Sequence, residues 1–200
     1  MIKKSPVWSL ATFILAITSI ALPQQPGKVP RVVYLAAGTA VGQADQLEIF
    51  RQGLRQLKYI DGKDIVIEPR YAEGKIARLP TLAAELVGLK VNVIVTAGPT
   101  GTRAAKQATA TIPIVMAFDT DPVGAGFVAS LARPGGNITG LSSFSAELNG
   151  KRLELLKETV PTLARVAVLG TSTNPGNAQA LKETELAASV LGVKIQSLDI

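Results

Sequence analysis

Three features of the sequence predict an α/β chain of doubly wound parallel sheets in two lobes, the second lobe incomplete. Short β-branched runs alternate with stretches of helical periodicity, the pattern of parallel strands joined by crossover helices. Arg31-Val-Val-Tyr-Leu35 is echoed by Arg165-Val-Ala-Val-Leu169. A small-polar loop, a helix and a second strand follow each copy, with Ile65-Val66-Ile67 matching Val193-Lys194-Ile195. A second lobe built like the first therefore opens near Glu147. It offers only two strands before Ile200, whereas apolar parallel strands need neighbours on both sides.

Taken in order, the chain begins with Val7 to Leu22, a charge-free run behind Lys3 and Lys4 that ends in Ser19-Ile20-Ala21. A basic head, an apolar middle and small residues before the cut read as a cleavable signal peptide over residues 1–21. At about 16 residues the run is short of the ~20 that a membrane-spanning helix needs. With no cysteine in the chain, export implies a soluble periplasmic protein without disulfides, not a lipoprotein. A linker over 22–30 leads to a first lobe over 31–141, a hinge over 142–146 and the start of the second lobe over 147–200.

The first strand is Arg31 to Ala36, closing on Ala37-Gly38-Thr39. A helix from Ala44 to Tyr59 sets Leu47, Phe50, Leu54 and Leu57 on one face, and Asp61-Gly62 ends it. Asp64 to Tyr71 is a strand, and Ile76 to Gly88 a helix with Leu79, Leu82, Ala83, Leu86 and Val87 as its stripe. Val91, Val93, Ile94 and Val95 make a buried strand that stops at Thr96-Ala97-Gly98-Pro99. The next helix, Thr100 to Ala110, carries Thr100 and Thr102 in its first turn, both suited to capping free amides. Ile112 to Ala117 is another strand, stopping at Phe118-Asp119-Thr120-Asp121-Pro122. Gly124 to Ala132 reads as a short helix, Ile138 to Leu141 as extended and Ser142 to Ser145 as linker. The second lobe reads as a helix over Glu147 to Thr159 marked by Leu148, Arg152, Leu155 and Leu156, a strand Arg165 to Leu169, a loop Gly170 to Asn177, a helix to Leu191 and a strand from Val193.

Composition excludes several function classes. There is no histidine and no cysteine, so cysteine nucleophiles, serine-histidine triads, histidine bases and the common zinc sites are unavailable. No cofactor and no metal site is expected. The net charge of +6 is spread along the chain without an arginine or lysine cluster, which argues against nucleic acid as a partner. Gly98 to Lys106 lacks the Gly-Lys-Ser/Thr ending of a phosphate loop, and no G-x-G-x-x-G stands between a strand and a helix.

Certain stretches carry a family resemblance. Ala104-Ala105-Lys106-Gln107-Ala108-Thr109 with Thr111-Ile112-Pro113-Ile114-Val115, Asp121-Pro122-Val123, Ser130-Leu131-Ala132-Arg133-Pro134-Gly135-Gly136-Asn137-Ile138-Thr139-Gly140, and Lys151-Arg152-Leu153-Glu154-Leu155-Leu156-Lys157 resemble the ABC-transporter substrate-binding family with the type I periplasmic-binding fold. Within it they look most like the branch linked to tryptophan and other aromatic amino acids. The resemblance covers nearly all of Arg31 to Ile200. It implies a monomeric, non-enzymatic receptor of two α/β lobes that delivers a small ligand to an ABC permease in the inner membrane.

Ligands of open α/β sheets bind at the carboxyl ends of the strands. That places the first-lobe site at Gly38, Thr39, Thr96, Ala97, Gly98, Thr100, Phe118 and Asp119, with Ser172, Asn174 and Asn177 across the cleft. For an amino-acid-like ligand, the hydroxyls and free amides of Thr96 to Thr102 would hold the carboxylate. Asp119 would pair with the ammonium and Phe118 would pack on the side chain. Closure about a hinge at Leu141, Ser142 and Ser143 would bury the ligand. Two rivals stand beside this reading. One is the ligand-sensing domain of a regulatory protein, and the other is an α/β enzyme using Asp119 or Asp121 as base.

Overall fold

The computed structural model describes residues 29–143, 148–170 and 177–199. The signal-peptide reading and the expected contacts Ser172 and Asn174 lie outside these residues. Strands β1 (Arg31–Ala36), β2 (Val66–Tyr71), β3 (Val93–Ala97), β4 (Ile114–Asp119) and β5 (Ile138–Ser142) form one sheet in the order β2-β1-β3-β4-β5. Every pairing in it is parallel. Helices α1 (Ala44–Gln56), α2 (Leu79–Gly88) and α3 (Pro99–Ala108) make the crossovers. A second, two-stranded parallel sheet pairs β6 (Arg165–Gly170) with β7 (Lys194–Asp199), accompanied by α4 (Leu148–Thr159) and α5 (Asn177–Leu191).

Successive side chains of a strand point to opposite faces, and the large sheet uses both. Val33, Leu35, Ile94, Ile114 and Met116 pack with Leu79, Leu82, Leu86, Ala104 and Ala105 of α2 and α3. Tyr34, Ala36 and Val95 face the other way, against Leu47, Phe50 and Leu54 of α1. The tilted Tyr34 and Phe50 rings stand 6.1 Å apart by their centroids, a favourable aromatic arrangement.

The structure departs from the sequence reading in particular places. Helix α1 stops at Gln56, so Leu57 falls on its C-cap and is exposed instead of extending the apolar face. Gly124 to Ala132 is a series of turns, not a helix. Gly126 takes a positive φ of 69°, and the Pro122 carbonyl accepts both Phe127 N–H and Val128 N–H. Leu141 and Ser142 belong to β5, the edge strand of the sheet, so the linker read as starting at Ser142 does not include that residue. On α4, Leu153 is the buried residue, whereas Leu148, Leu155 and Leu156 are exposed. The reason is the packing of α4 on α5: Leu153 meets Ala188 and Val193, and the expected stripe points elsewhere.

Strand β4 carries a bulge. Thr96 pairs with Met116 but Ala97 pairs with Phe118, and on the other side Met116 faces Gly140 but Asp119 faces Ser142. Relative to both neighbours, β4 has gained one residue between Met116 and Asp119. An extra residue reverses the alternation beyond it and re-aims the side chains that follow.

Candidate ligand crevice at the carboxyl edge of the first sheet

Five strand ends converge on one edge of the large sheet, and the sequence places small or polar residues at each. After β1, Ala37 to Gln43 forms a tight loop. Thr39 Oγ1 accepts Gly42 N–H at 3.1 Å, and the Thr39 carbonyl accepts Gln43 N–H at 3.1 Å. Tyr34 Oη lies 3.4 Å from Gln43 Oε1. The carbonyls of Ala37 and Gly38 accept Gly74 N–H and Glu73 N–H beyond β2, which fixes the loop from beneath. Thr39 is exposed and Gly38 half-buried.

Between β3 and α3, Gly98 adopts φ 88° and ψ 167°, a conformation open to glycine and strained for any L side chain. Pro99 then starts the helix without an N–H of its own, as suits a first helical position. Thr102 N–H reaches the Gly98 carbonyl at 3.2 Å, so the Thr100 and Gly101 amides are the N–H groups of the first turn that the helix leaves unpaired. They form the positive end of the helix dipole, and of the two residues Thr100 is half-buried while Gly101 is buried. Helix α3 sits close against the sheet. A Cβ on Gly101 would stand 3.2 Å from the Leu35 carbonyl oxygen.

The threonine hydroxyls expected to face a ligand divide into two groups. Thr100 is half-buried at the crevice. Thr96 and Thr102 are fully buried, with their Oγ1 atoms 2.8 Å apart, and Thr102 Oγ1 donates to the Gly98 carbonyl at 3.2 Å. Their hydroxyls tie β3 to α3, and Thr102 is not the side-chain cap read from the sequence.

Past the bulge, Phe118 and Asp119 point opposite ways. Phe118 is 48% exposed and lies over Gly98, where an added Cβ would come 3.6 Å from its Cζ. Asp119 has no exposed surface. Its Oδ1 accepts Asp121 N–H at 3.4 Å, and its Oδ2 is buried without a hydrogen-bond partner of good geometry, as is Thr120 Oγ1 beside it. Burial pushes the Asp119 carboxyl above the usual carboxylate range, with Asp121 adding to the rise. The Asp121 and Thr120 amides and the Thr102 hydroxyl oppose it. The main-chain carbonyl of Asp119 accepts Ser143 N–H at 2.7 Å and Ser143 Oγ–H at 3.4 Å.

The crevice therefore presents Gly38, Thr39, Ala97, Thr100 and Phe118, while Thr96, Gly98 and Asp119 are buried beneath it. Sequence inspection could not separate these groups, because the bulge leaves no mark in the run Ile114-Val-Met-Ala-Phe-Asp119. Asn177 opens α5, its side chain lying against Gly170 at the carboxyl end of β6.

The match to known proteins bears on this geometry. Residues 42–200 fit the family model described as ABC transporter substrate binding protein. The chain belongs to that family. A curated tyrosine-binding protein of Clostridioides difficile is 35% identical over 120 residues, or 60% of this chain and 34% of the relative.

Among solved structures, a conserved domain protein of Vibrio cholerae matches with a TM-score of 0.79 and 28% identity. A ligand-free, open substrate binding protein with adhesive properties from Clostridium difficile matches with a TM-score of 0.62 and 26% identity. In both cases the alignment covers 86% of this chain and 58% of the other. A leucine binding protein of Thermotoga maritima, at 12% identity and a TM-score of 0.64, shares the fold alone, which is the type I periplasmic-binding fold. This substrate-binding family member thus spans little more than half the length of its solved relatives.

A cavity of about 650 Å³ lies away from the first-lobe edge. It runs from Gly170 and Asn177 down between Leu153, Leu156, Val166 and Leu181. Its wall is mainly the apolar side of β6, α4 and α5, with Asn177, Thr184 and Asp199 among its polar residues.

Proposed function

We propose that this chain is the solute-binding component of an ABC importer, exported by the signal over residues 1–21 and acting in the periplasm as a monomer. It captures an amino acid or related small ligand at the carboxyl edge of the first sheet and passes it to an inner-membrane permease. One observation carries the reading. Helix α3 starts at Gly98, directly under the half-exposed ring of Phe118, and its first turn brings the half-buried Thr100 to the crevice. An α-carboxylate suits the helix terminus, and the apolar part of the same molecule suits the ring. Gly38, Thr39 and Ala97 border this seat, and Ser172, Asn174 and Asn177 supply the second lobe's contacts. The family match and the curated tyrosine-binding relative support a ligand of this class.

No histidine or cysteine is available and the carboxylate nearest the crevice is buried, so the reading assigns no catalysis. The test is thermal-shift screening of the chain against the amino acids, including L-tyrosine and L-tryptophan, followed by calorimetry and a check for product. A saturable shift with unchanged ligand is the expected result. No shift with any amino acid, or turnover of the ligand, overturns the reading.

A further inference from the structure

Asp119 is fully buried where the end of β4 meets β5 and the first turn of α3. It is the last residue of β4, just past the bulge, paired across the ladder with Ser142 of β5. Its carbonyl is the acceptor for Ser143, the last described residue before the chain crosses towards the second lobe. Its carboxyl turns under the first turn of α3, where Thr102 bonds Thr96 of β3 and the Gly98 carbonyl. A carboxyl with one buried oxygen lacking a partner is costly in an ordinary core position. With no exposed surface, its side chain is out of reach of a ligand in this structure.

We propose that Asp119 is a positioning residue: its enclosed carboxyl holds the β4 bulge in the register that aims Phe118 into the crevice and docks Ser143 on β4. Occupancy at the Gly98–Phe118 seat and the start of the crossover are thereby tied through one residue. The inference builds on the crevice reading above but takes Asp119 out of ligand contact. The charged group facing the carboxyl is Asp121 on the following turn. Helix α3 faces it with Thr102. An uncharged carboxyl is the form this pocket favours, since burial raises its pKa and Asp121 discourages a second charge nearby.

The folded-state pKa lies above the unfolded value, near 3.9 for aspartate, so the folded chain holds the proton where the unfolded chain has released it. The carboxyl's contribution to stability is thus fully present below pH ~4 and falls as pH rises through the raised folded value. Asparagine copies the neutral carboxyl in shape and should keep that contribution at all pH values.

Amide hydrogen exchange and thermal unfolding on the full ligand-free chain test this for wild type, Asp119→Asn and Asp119→Ala. We expect Asp119→Ala to speed exchange on the order of tenfold or more in residues 114–121 and 138–143, leaving 31–36 and 66–71 protected. Asp119→Asn should restore protection in both segments and flatten the fall in unfolding midpoint as pH rises above about 4. Uniform loss of protection in Asp119→Ala, or a pH profile unchanged in Asp119→Asn, overturns the proposal. Since no ligand enters these measurements, their failure is distinct from failure of the amino-acid screen.

Discussion

Phe118 and Gly98 form one unit: the ring tip lies where a Cβ on Gly98 would come within 3.6 Å, and Gly98 holds a φ of 88° that needs no Cβ. An alanine at this position meets backbone strain of about 1–3 kcal/mol, and a valine adds branches that displace the ring. Gly98→Val should therefore lower the unfolding midpoint and abolish ligand binding together. Phe118→Ala should leave stability nearly unchanged, because the ring is half exposed, yet weaken the ligand identified in the screen roughly tenfold or more, the equivalent of about 1.4 kcal/mol. Calorimetry paired with thermal unfolding separates the two. Wild-type affinity in Phe118→Ala would place the apolar subsite elsewhere.

Gly140 lies hard against the backbone of the neighbouring strand β4. It has φ 145°, and a Cβ there would stand 2.2 Å from the Met116 carbonyl oxygen and 2.6 Å from Met116 N. Those are backbone atoms of the paired strand, immediately before the bulge, and they cannot move aside as a side chain would. Gly140→Ala should cost about 2–5 kcal/mol, combining strain with overpacking. Chemical denaturation measures it. A loss below about 0.5 kcal/mol, the ordinary range of surface changes, would mean that β5 can pull away from β4 freely.

Much of this architecture is legible in the sequence. The runs around Val33, Ile94 and Ile114 announce buried strands because burial on both faces demands unbroken apolar residues. Leu79, Leu82, Ala83 and Leu86 announce α2 through their spacing. That same continuity hides the register of β4, since an all-apolar run reads alike with or without an added residue, and with it the opposite directions of Phe118 and Asp119. Thr96 and Thr102 look like ligand hydroxyls, yet they satisfy each other inside the core. Gly126 breaks the helix expected after Asp121 through its positive φ. In the second lobe, Leu153 is buried because α5 lies against it, a tertiary fact that periodicity on α4 alone cannot supply.

Export is open to a direct test. The apolar run Val7 to Leu22 behind Lys3 and Lys4 should carry a reporter fused after Gln25 across the inner membrane, with the mature end near Leu22. Alkaline phosphatase activity in whole cells and amino-terminal sequencing read the two outcomes. A soluble product that still begins at Met1 would remove the signal-peptide reading.

The two lobes differ in how their strands are covered. In the first sheet β1 has β2 on one side and β3 on the other. In the second, β6 pairs with β7 alone among the described residues. Leu169 is 65% exposed and Leu198 is 40% exposed, and Leu169 also lines the cavity with Val166, Leu153 and Leu156. Unpaired apolar strand edges favour association with other chains. A longer chain, carrying the further sequence that solved relatives have beyond the 58% matched here, should place a third parallel strand beside β6, as β3 lies beside β1. That chain should unfold at a midpoint higher by at least about 4 °C, the shift that ~1 kcal/mol produces in a domain of 60–100 residues. It should also bind less of a dye that reports exposed apolar surface. Equal midpoints and equal dye binding in the two chains would show that β6 and β7 need no third strand.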